Sequence, residues 1–276
     1  MTGGRAIIGV CAFCALFVSA LTAQGAAATS GTTAVTCKEE ATAVFKYSDK
    51  HCKQESSGGN TGKFNHVAIA EETTTELTAT DSGEGTSLKA TIGGVATTLT
   101  SAGLTGTGSM ENLLTGADEH YIHSTGTIVF SGVTVTPFTK CFVYNDVAGV
   151  KGAKEKVETE PLTATTEKQG DFVKVAPEVG EVLARLWILD SNKKTAAEGG
   201  ECAIGATYTV TGSIKGSPNG ATTLSTHTET TQQNTLKIVT GGSGMKAGIE
   251  GPLTLEGRTK GGGGAYAPLS QTTIEQ

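Results

Sequence analysis

Short runs in which apolar residues alternate with polar ones constrain this chain more than any other feature of its sequence. In SLKATIGGVATTL (87–99), the alternation continues on both sides of the dipeptide Gly93–Gly94, with Leu88, Ala90 and Ile92 on one face. A period of two matches a β-strand, and a two-residue glycine turn joins two such strands into an antiparallel hairpin. This stretch therefore predicts a β-hairpin.

A second hairpin is predicted for residues 206–230, around the dipeptide Asn219–Gly220, because Asn-Gly is the strongest short hairpin signal. The apolar positions of this stretch are expected on one face of the sheet and the polar positions on the other. The apolar set is Tyr208, Val210 and Ile214, and the polar set is Thr207, Thr209, Thr211 and Lys215.

Composition extends this pattern to the whole chain. The 276 residues include 46 threonines and 38 glycines. Threonine is β-branched and suits a half-solvated pleated surface, while glycine marks turns. We therefore predict an all-β fold, an antiparallel β-sandwich built from short threonine-rich strands and hairpins and braced by disulfides.

Charge argues against two classes of partner. The formal net charge is -6 at pH 7, and no cluster of lysines and arginines occurs. Nucleic acids and anionic membranes attract basic surfaces, so neither is expected as a partner.

The two ends of the chain are expected to differ from its middle. One positive residue, Arg5, precedes the apolar run 6–21 and then small residues, which is the pattern of a secretory signal peptide. We expect a signal peptide over 1–28, a β-sandwich domain over 29–258 and a flexible glycine-rich tail over 259–276. Two packed sub-domains within 29–258, and an uncleaved anchor at the N-terminus, are alternatives. After cleavage no segment is expected to insert into a membrane, because no second run of about 18 apolar residues follows.

Four cysteines remain once the leader is removed, which implies two disulfides in an exported chain. Three pairings are possible, and we favour one local bridge and one longer bridge. No CxxC spacing occurs among these four, so neither a redox motif, nor a thiolate zinc site, nor any other cofactor is expected. The favoured pairs are Cys37–Cys52 and Cys141–Cys202.

The apolar run LARLWIL (183–189), which holds the only tryptophan, is interpreted as a buried central strand. A helix from Pro177 onward is the alternative, because periodicity does not separate a strand from a helix over so few residues. The assignment of 177–190 therefore stays open at this point.

The stretch YSDKHC (47–52) contains residue types found in hydrolase active sites, namely Ser48, Asp49 and His51. A catalytic triad, however, needs an acid on one imidazole nitrogen and the nucleophile on the other, and a single short segment hardly meets that geometry. We interpret the stretch as a turn in which Asp49 bonds local backbone amides and Cys52 fixes the end. No catalytic residue is expected, and the chain is not predicted to be an enzyme.

The stretch ADEHYIH (117–123) is the densest cluster of metal-ligand side chains, with Asp118, Glu119, His120 and His123. Residues three apart on a strand face opposite sides, so His120 and His123 would diverge there and converge only on a loop or helical turn. No metal site is predicted, and whether these four residues form any site is left open.

Several short motifs follow one another in a fixed order along the chain: FKYSDKHC, GKFNHVAIA, ETEPLTATTEKQG, YTVTGSIKGSPNGATTLSTHTE and KAGIEGPLTLEG. This order resembles a large group of uncharacterised, secreted, threonine- and glycine-rich β proteins of soil actinobacteria. The resemblance extends over residues 35–257 and implies an exported β-rich domain, without implying an activity. Relatives of this pattern often carry cysteines near the positions of Ser101 and Val133, and their joint absence here fits the loss of one further disulfide.

Three functions are compatible with these observations. The favoured one is a non-enzymatic exported protein of the cell envelope or extracellular space that interacts with an extracellular or cell-surface partner or has a structural role. The alternative is a secreted module that binds a glycan or small ligand, which a concave apolar cleft with two or more exposed aromatic residues would favour. A hydrolase of unrecognised type is the third.

Overall fold

The computed structural model describes residues 30–39, 46–49, 52, 54–58, 61–71, 73–81, 85–114, 119–166, 173–193, 198, 200–218, 223–226, 235–259 and 267–274. Within these ranges the chain forms twenty-one β-strands and no α-helix. The strands are β1 (Ser30–Glu39), β2 (Phe64–Ala68), β3 (Thr75–Asp81), β4 (Thr86–Ile92), β5 (Val95–Ser101), β6 (Gly103–Leu114), β7 (Glu119–Ser131), β8 (Thr134–Thr136), β9 (Phe142–Val147), β10 (Val150–Lys154), β11 (Lys156–Glu158), β12 (Leu162–Thr166), β13 (Val173–Pro177), β14 (Val182–Leu189), β15 (Ala206–Thr211), β16 (Ile214–Pro218), β17 (Thr223–Thr226), β18 (Lys237–Thr240), β19 (Ser243–Glu250), β20 (Pro252–Thr259) and β21 (Ala267–Ile274).

These strands form two sheets. The larger sheet has the order β17-β16-β13-β12-β7-β6-β3-β20-β21-β1-β2, with β11 beside β7, and the smaller has the order β10-β9-β14-β15-β18-β19-β4-β5-β8. Across the described strands every pairing is antiparallel except a two-residue parallel contact between β1 and β7. The predicted all-β antiparallel fold is confirmed.

The larger sheet curls back on itself. One edge of β7 pairs with β6 over twelve residue pairs, while its other edge meets β1, β12 and β11 in succession. Strand β17 also pairs with β20, so eight strands, from β17 through β7 to β20, form a closed cycle of hydrogen-bonded neighbours.

The larger hydrophobic core lies between the two sheets. Leu186 and Ile188 of β14 and Ile238 of β18 are among its most deeply buried members from the smaller sheet. Val157 and Leu162 face them from the larger sheet. Inward-facing apolar residues of the two sheets therefore pack against each other, as expected for a sandwich.

A smaller hydrophobic core lies at the other end of β6 and β7. Its buried apolar members are Ala34, Leu77, Met110 and Ile122. The buried Asn112 accepts a hydrogen bond from the Ala34 amide at 2.8 Å. Its own amide donates to the Ala34 carbonyl at 3.1 Å and to the Ile69 carbonyl at 2.7 Å. One side chain thus bonds three backbone groups of β1 and of the segment after β2.

Glycine allows β6 and β7 to approach closely between the two cores. A Cβ at Gly108 would lie 2.1 Å from the carbonyl oxygen of Thr125, and a Cβ at Gly126 would lie 2.4 Å from that of Thr107. No side chain fits at either distance, so both positions require glycine.

The first predicted hairpin is confirmed, and the second needs a correction. Strands β4 and β5 pair around Gly93 and Gly94, both of which have positive φ. Strand β16 pairs with β17, and the residues of that turn lie outside the described ranges. However, β15 belongs to the smaller sheet, whereas β16 belongs to the larger one. The chain crosses between the sheets at Gly212. Glycine is required there, because a Cβ would lie 2.3 Å from the Thr235 carbonyl oxygen.

Residues 182–189 form strand β14 in the interior of the smaller sheet, which settles the question left open for 177–190 in favour of a strand. The expected flexible tail over 259–276 is wrong for residues 267–274. These residues form β21, which pairs with β1 and β20. Alternating apolar residues were too few there to reveal a strand, and the strand depends on partners distant in sequence.

Both predicted disulfides are present, Cys37–Cys52 and Cys141–Cys202. Disulfides persist in oxidising compartments, so they are consistent with an extracellular or secreted protein. The predicted signal peptide, residues 1–28, lies outside the described residues.

Candidate ligand cavity

The stretch 47–52 forms a turn, as interpreted from the sequence. The backbone amide of Gln54 donates to the Asp49 carboxylate at 2.6 Å, and the backbone amide of Cys52 donates to the Asp49 carbonyl at 3.1 Å. The hydroxyl of Ser48 donates to the Gln54 carbonyl at 3.1 Å. His51 lies outside the described residues. The polar groups that are described bond the local backbone, and Cys52 ties the turn to Cys37.

In the stretch 117–123, His123 is the metal-ligand residue whose side chain is described. Glu119, His120 and His123 belong to β7, and Asp118 lies outside the described residues. The His123 imidazole Nε2 lies 3.1 Å from the Thr163 hydroxyl, across the strand pair. Among the described residues, no three histidine, cysteine or acidic side chains are close enough to hold a metal ion.

Aromatic side chains on the outer face of the smaller sheet are covered by neighbouring charged groups. The Lys154 ammonium lies 3.8 Å from the Phe142 ring centre, and the Lys151 ammonium lies 3.9 Å from that of Tyr144. The Trp187 indole donates to the Asp146 carboxylate at 2.9 Å. These contacts engage the aromatic groups within the protein, so they do not present an open platform for a sugar ring.

The loop that carries Cys202 is organised by Asp190. Its carboxylate accepts hydrogen bonds from the backbone amides of Asn192 at 3.2 Å and Glu201 at 3.1 Å. These two bonds hold the pKa of Asp190 below its ordinary value. The carboxylate therefore braces the loop next to the Cys141–Cys202 bridge.

A cavity of about 140 Å³ lies inside the larger core, between the two sheets. The smaller sheet provides residues from β4, β5, β14 and β15, among them Leu99, Ala184, Leu186 and Val210. The larger sheet provides residues from β7, β12, β13 and β16. These include Ile128, Phe130, Leu162, Val175 and Ile214.

Most of the residues that line the cavity have aliphatic side chains. None of the described lining residues is acidic or basic, and the aromatic member is Phe130. Apolar cavities of about this size can bind a molecule such as benzene or a xenon atom. Because the walls offer no charge, an ionised ligand would lose its hydration without compensation.

Three hydroxyl side chains line the cavity: Thr86, Ser101 and Thr159. Ser101 donates to the Gly103 carbonyl and lies 3.2 Å from the Ser131 carbonyl. The hydroxyl oxygen of Thr159 accepts from the Ile128 amide at 2.9 Å. Both are therefore engaged by backbone groups of β6 and β7.

The tyrosine of this core is also satisfied internally. The Tyr208 hydroxyl donates to the Ile204 carbonyl at 2.6 Å. Burial raises the pKa of this phenol, because the charged form would lose its hydration. The group thus stays neutral and contributes to packing.

Sequence reasoning missed the cavity, although it located many of its walls. Alternation identified the inward residues of β4 and β5, such as Leu88 and Leu99, but alternation says nothing about the volume left between two sheets. Ser101 and Val133 also line this cavity, and no local pattern in the sequence marks them as cavity residues.

Within the described part of the chain, no helix is long and apolar enough to span a membrane. The chain matches no family model, no curated protein and no solved structure.

Proposed function

We propose that this chain is an exported, non-enzymatic β-sandwich protein that binds a small apolar ligand in the cavity between its sheets. The cavity of about 140 Å³ carries the proposal, because its lining is hydrocarbon from both sheets. Concave, largely apolar sites with a few polar groups are typical of small-ligand sites. The two disulfides support a place of action in the cell envelope or extracellular space.

The test is binding of cyclohexane to the full exported chain, measured by the rise in unfolding temperature and by NMR chemical-shift changes. A ligand that binds the native state alone stabilises it. Ala184→Leu should fill the cavity, because Ala184 lines it. This variant should lose cyclohexane binding and gain about 1 kcal/mol in unfolding free energy.

Ala90→Leu is the matched control. Ala90 is buried in the same core but does not line the cavity. The three added carbon atoms should therefore overpack the core and cost about 2 kcal/mol. Wild-type protein that binds no cyclohexane, or an Ala184→Leu variant destabilised as much as Ala90→Leu, would contradict the proposal.

A second candidate is interaction with an extracellular polymer through the outer face of the larger sheet. Threonines stand in register there: Thr78, Thr107 and Thr127 are neighbours across β3, β6 and β7, and Thr80 pairs with Thr105. The exposed members offer hydroxyl and methyl groups in regular rows at the spacing of the strands.

The probe for this candidate is co-sedimentation with insoluble peptidoglycan. A Thr105→Glu/Thr107→Glu variant should be retained at least tenfold less than wild type, because the charges interrupt the rows. Thr134→Glu/Thr136→Glu places the same charges on exposed positions of the smaller sheet and should behave like wild type. Equal retention of all three proteins, or no retention of wild type, would reject this candidate.

A further inference from the structure

A short arm covers the free edge of the larger sheet. Strand β2 ends the order of that sheet, so β1 occupies one edge of β2 and leaves the other edge free for the arm. The arm consists of the described residues among 46–58, and its Tyr47 forms a β-bridge with Phe64 of β2. The Tyr47 amide donates to the Phe64 carbonyl at 3.0 Å, and the amides of Lys63 and Phe64 donate to the Tyr47 carbonyl at 2.8 and 3.1 Å. The backbone of one residue therefore docks the arm on β2.

Glycine makes this docking possible. A Cβ at Gly62 would lie 2.2 Å from the Tyr47 carbonyl oxygen and 2.8 Å from the Tyr47 nitrogen. No side chain fits at these distances, so the docked arm requires glycine at position 62. The arm is also attached covalently, because Cys52 is bonded to Cys37 of β1. An arm that left β2 at Tyr47 would therefore stay attached to β1 at Cys52.

The docked arm lies against the imidazole of His66. The ring centres of Tyr47 and His66 are 4.8 Å apart, and the Nε2 of His66 is buried without a hydrogen-bond partner among the described residues. Both nitrogens of a protonated imidazole carry hydrogen, so protonation makes this Nε2 a buried donor without an acceptor. The docked arrangement alone has that cost, because water would reach Nε2 if Tyr47 moved away.

The arm also supplies a positive charge. The ammonium of Lys46 pairs with the carboxylate of Glu55 at 2.8 Å and lies 5.5 Å from the centre of the Tyr47 ring. Burial, and then the charge of Lys46, lower the pKa of His66. Both causes involve the arm, since Tyr47 lies against the ring and Lys46 precedes Tyr47 in the chain.

Three further charged groups of β1 and the arm lie near this histidine. Glu39 lies on the same face of the β1–β2 pair as His66, while Lys38 lies on the opposite face. The Asp49 carboxylate accepts a backbone amide of the arm's own turn. Lys46 is the charge that shifts the pKa of His66.

We propose that the arm is a pH-sensitive cover of the sheet edge: protonation of His66 releases Tyr47 from β2, while Cys52 keeps the arm attached to β1. This inference does not depend on the proposed ligand cavity. Released His66 binds a proton more tightly than docked His66, so release increases as the pH falls. The docked arm is favoured most above a pH of about 6.5, the ordinary pKa of histidine.

The experiment measures the hydrogen-exchange protection factor of the Phe64 amide in the full exported chain at pH 7.5 and 5.5. In wild type this factor should be about threefold lower at pH 5.5, because a released arm no longer accepts the hydrogen of this amide. The protection factors of the β14 amides, which belong to the smaller sheet, should be the same at both pH values.

Three variants separate the parts of the device. His66→Phe keeps a ring against Tyr47 but takes up no proton, so its Phe64 protection should be equal at both pH values. Lys46→Gln removes the positive charge of the arm and should make the fall smaller than in wild type. Lys38→Gln is the matched control, because it removes a positive charge from the opposite face of β1, and it should behave like wild type.

Gly62→Ala tests the cover itself. The added Cβ should displace Tyr47 and lower the Phe64 protection at both pH values. An NMR titration of this variant should then return the pKa of His66 to about its ordinary value of 6.5. A His66 pKa that stays as low as in wild type would show that the arm does not bury this ring.

Two results in the exchange experiment would overturn the inference. One is a wild-type Phe64 protection factor that does not change between the two pH values, and the other is an equal fall in wild type and His66→Phe. Should His66→Phe not fold, Lys46→Gln against Lys38→Gln gives the same comparison, and equal falls in these two variants would overturn the inference.

Discussion

The two hydrophobic cores of this molecule are closed by different means. The larger core lies between two broad sheets and contains a cavity, yet many residues around it, such as Ile188 and Val143, are fully buried. The smaller core has Ala34, Leu77, Met110 and Ile122 as its buried apolar members in the described part of the chain, and the amide of Asn112 binds the strands that cover it. Where much apolar surface is buried, the fold tolerates empty space; where little is buried, directional hydrogen bonds hold the strands.

The Cys141–Cys202 bridge lies in the larger core, whereas the Cys37–Cys52 bridge joins β1 to the turn at 47–52. Removing the bridges should give the largest effects. In the loop-entropy estimate the Cys141–Cys202 bridge, with a sequence separation of 61, stabilises by about 4 kcal/mol. The Cys37–Cys52 bridge, with a separation of 15, stabilises by about 3 kcal/mol. Urea unfolding of the two paired cysteine-to-serine variants measures both values.

The comparison also predicts which region each bridge protects. Loss of Cys37–Cys52 should increase hydrogen exchange at β1 and β2 while leaving β14 protected, and loss of Cys141–Cys202 should affect the larger core. Identical exchange patterns in the two variants would show that the cores do not respond separately.

The next largest effect is expected at the buried amides. Asn112→Ala should cost about 2–3 kcal/mol, because the Ala34 amide and the Ile69 carbonyl lose this side chain as their partner and the Ala34 carbonyl keeps only the Ile69 amide. Asn145, buried beside the larger core, accepts one bond from the Glu158 amide at 3.0 Å. Asn145→Ala should therefore cost only about 1 kcal/mol in the same urea experiment. If the two variants lost equal unfolding free energy, hydrogen bonds would not stabilise the smaller core more than they stabilise the larger core.

The smallest effect is a pH dependence of the region around β2. His66 pairs with Cys37 across β1 and β2, and its Nε2 is buried without a partner among the described residues. Burial, and then the positive charge of Lys46, lower the pKa of His66 below its ordinary value. The unfolded chain binds this proton more readily than the native state, so this contribution to stability is complete above pH of about 6.5 and is lost as the pH falls.

The measurement is the difference in unfolding free energy between wild type and His66→Phe at pH 7.5, 6.5 and 5.5. Wild type should weaken relative to the variant as the pH falls, because the variant has no imidazole to protonate. A free-energy difference that stays constant over this pH range would show that the native state does not lower the pKa of His66.

Much of the fold could be predicted from local patterns, whereas the cavity could not. Alternation and glycine turns predicted the β4–β5 hairpin, and cysteine arithmetic predicted both bridges. The change of sheet at Gly212 and the strand at 267–274 depend on partners distant in sequence, which local patterns do not report. The cavity depends on how closely two sheets pack, and side-chain identity along one strand does not fix that distance.

The most direct test of the account is a crystal of the protein pressurised with xenon. The account predicts one bound xenon atom in the larger core, between Leu186 of β14 and Leu162 of β12, and none in the same place in Ala184→Leu. A wild-type crystal without xenon at that position, with side chains filling the space, would contradict the claim that this sandwich encloses a ligand cavity.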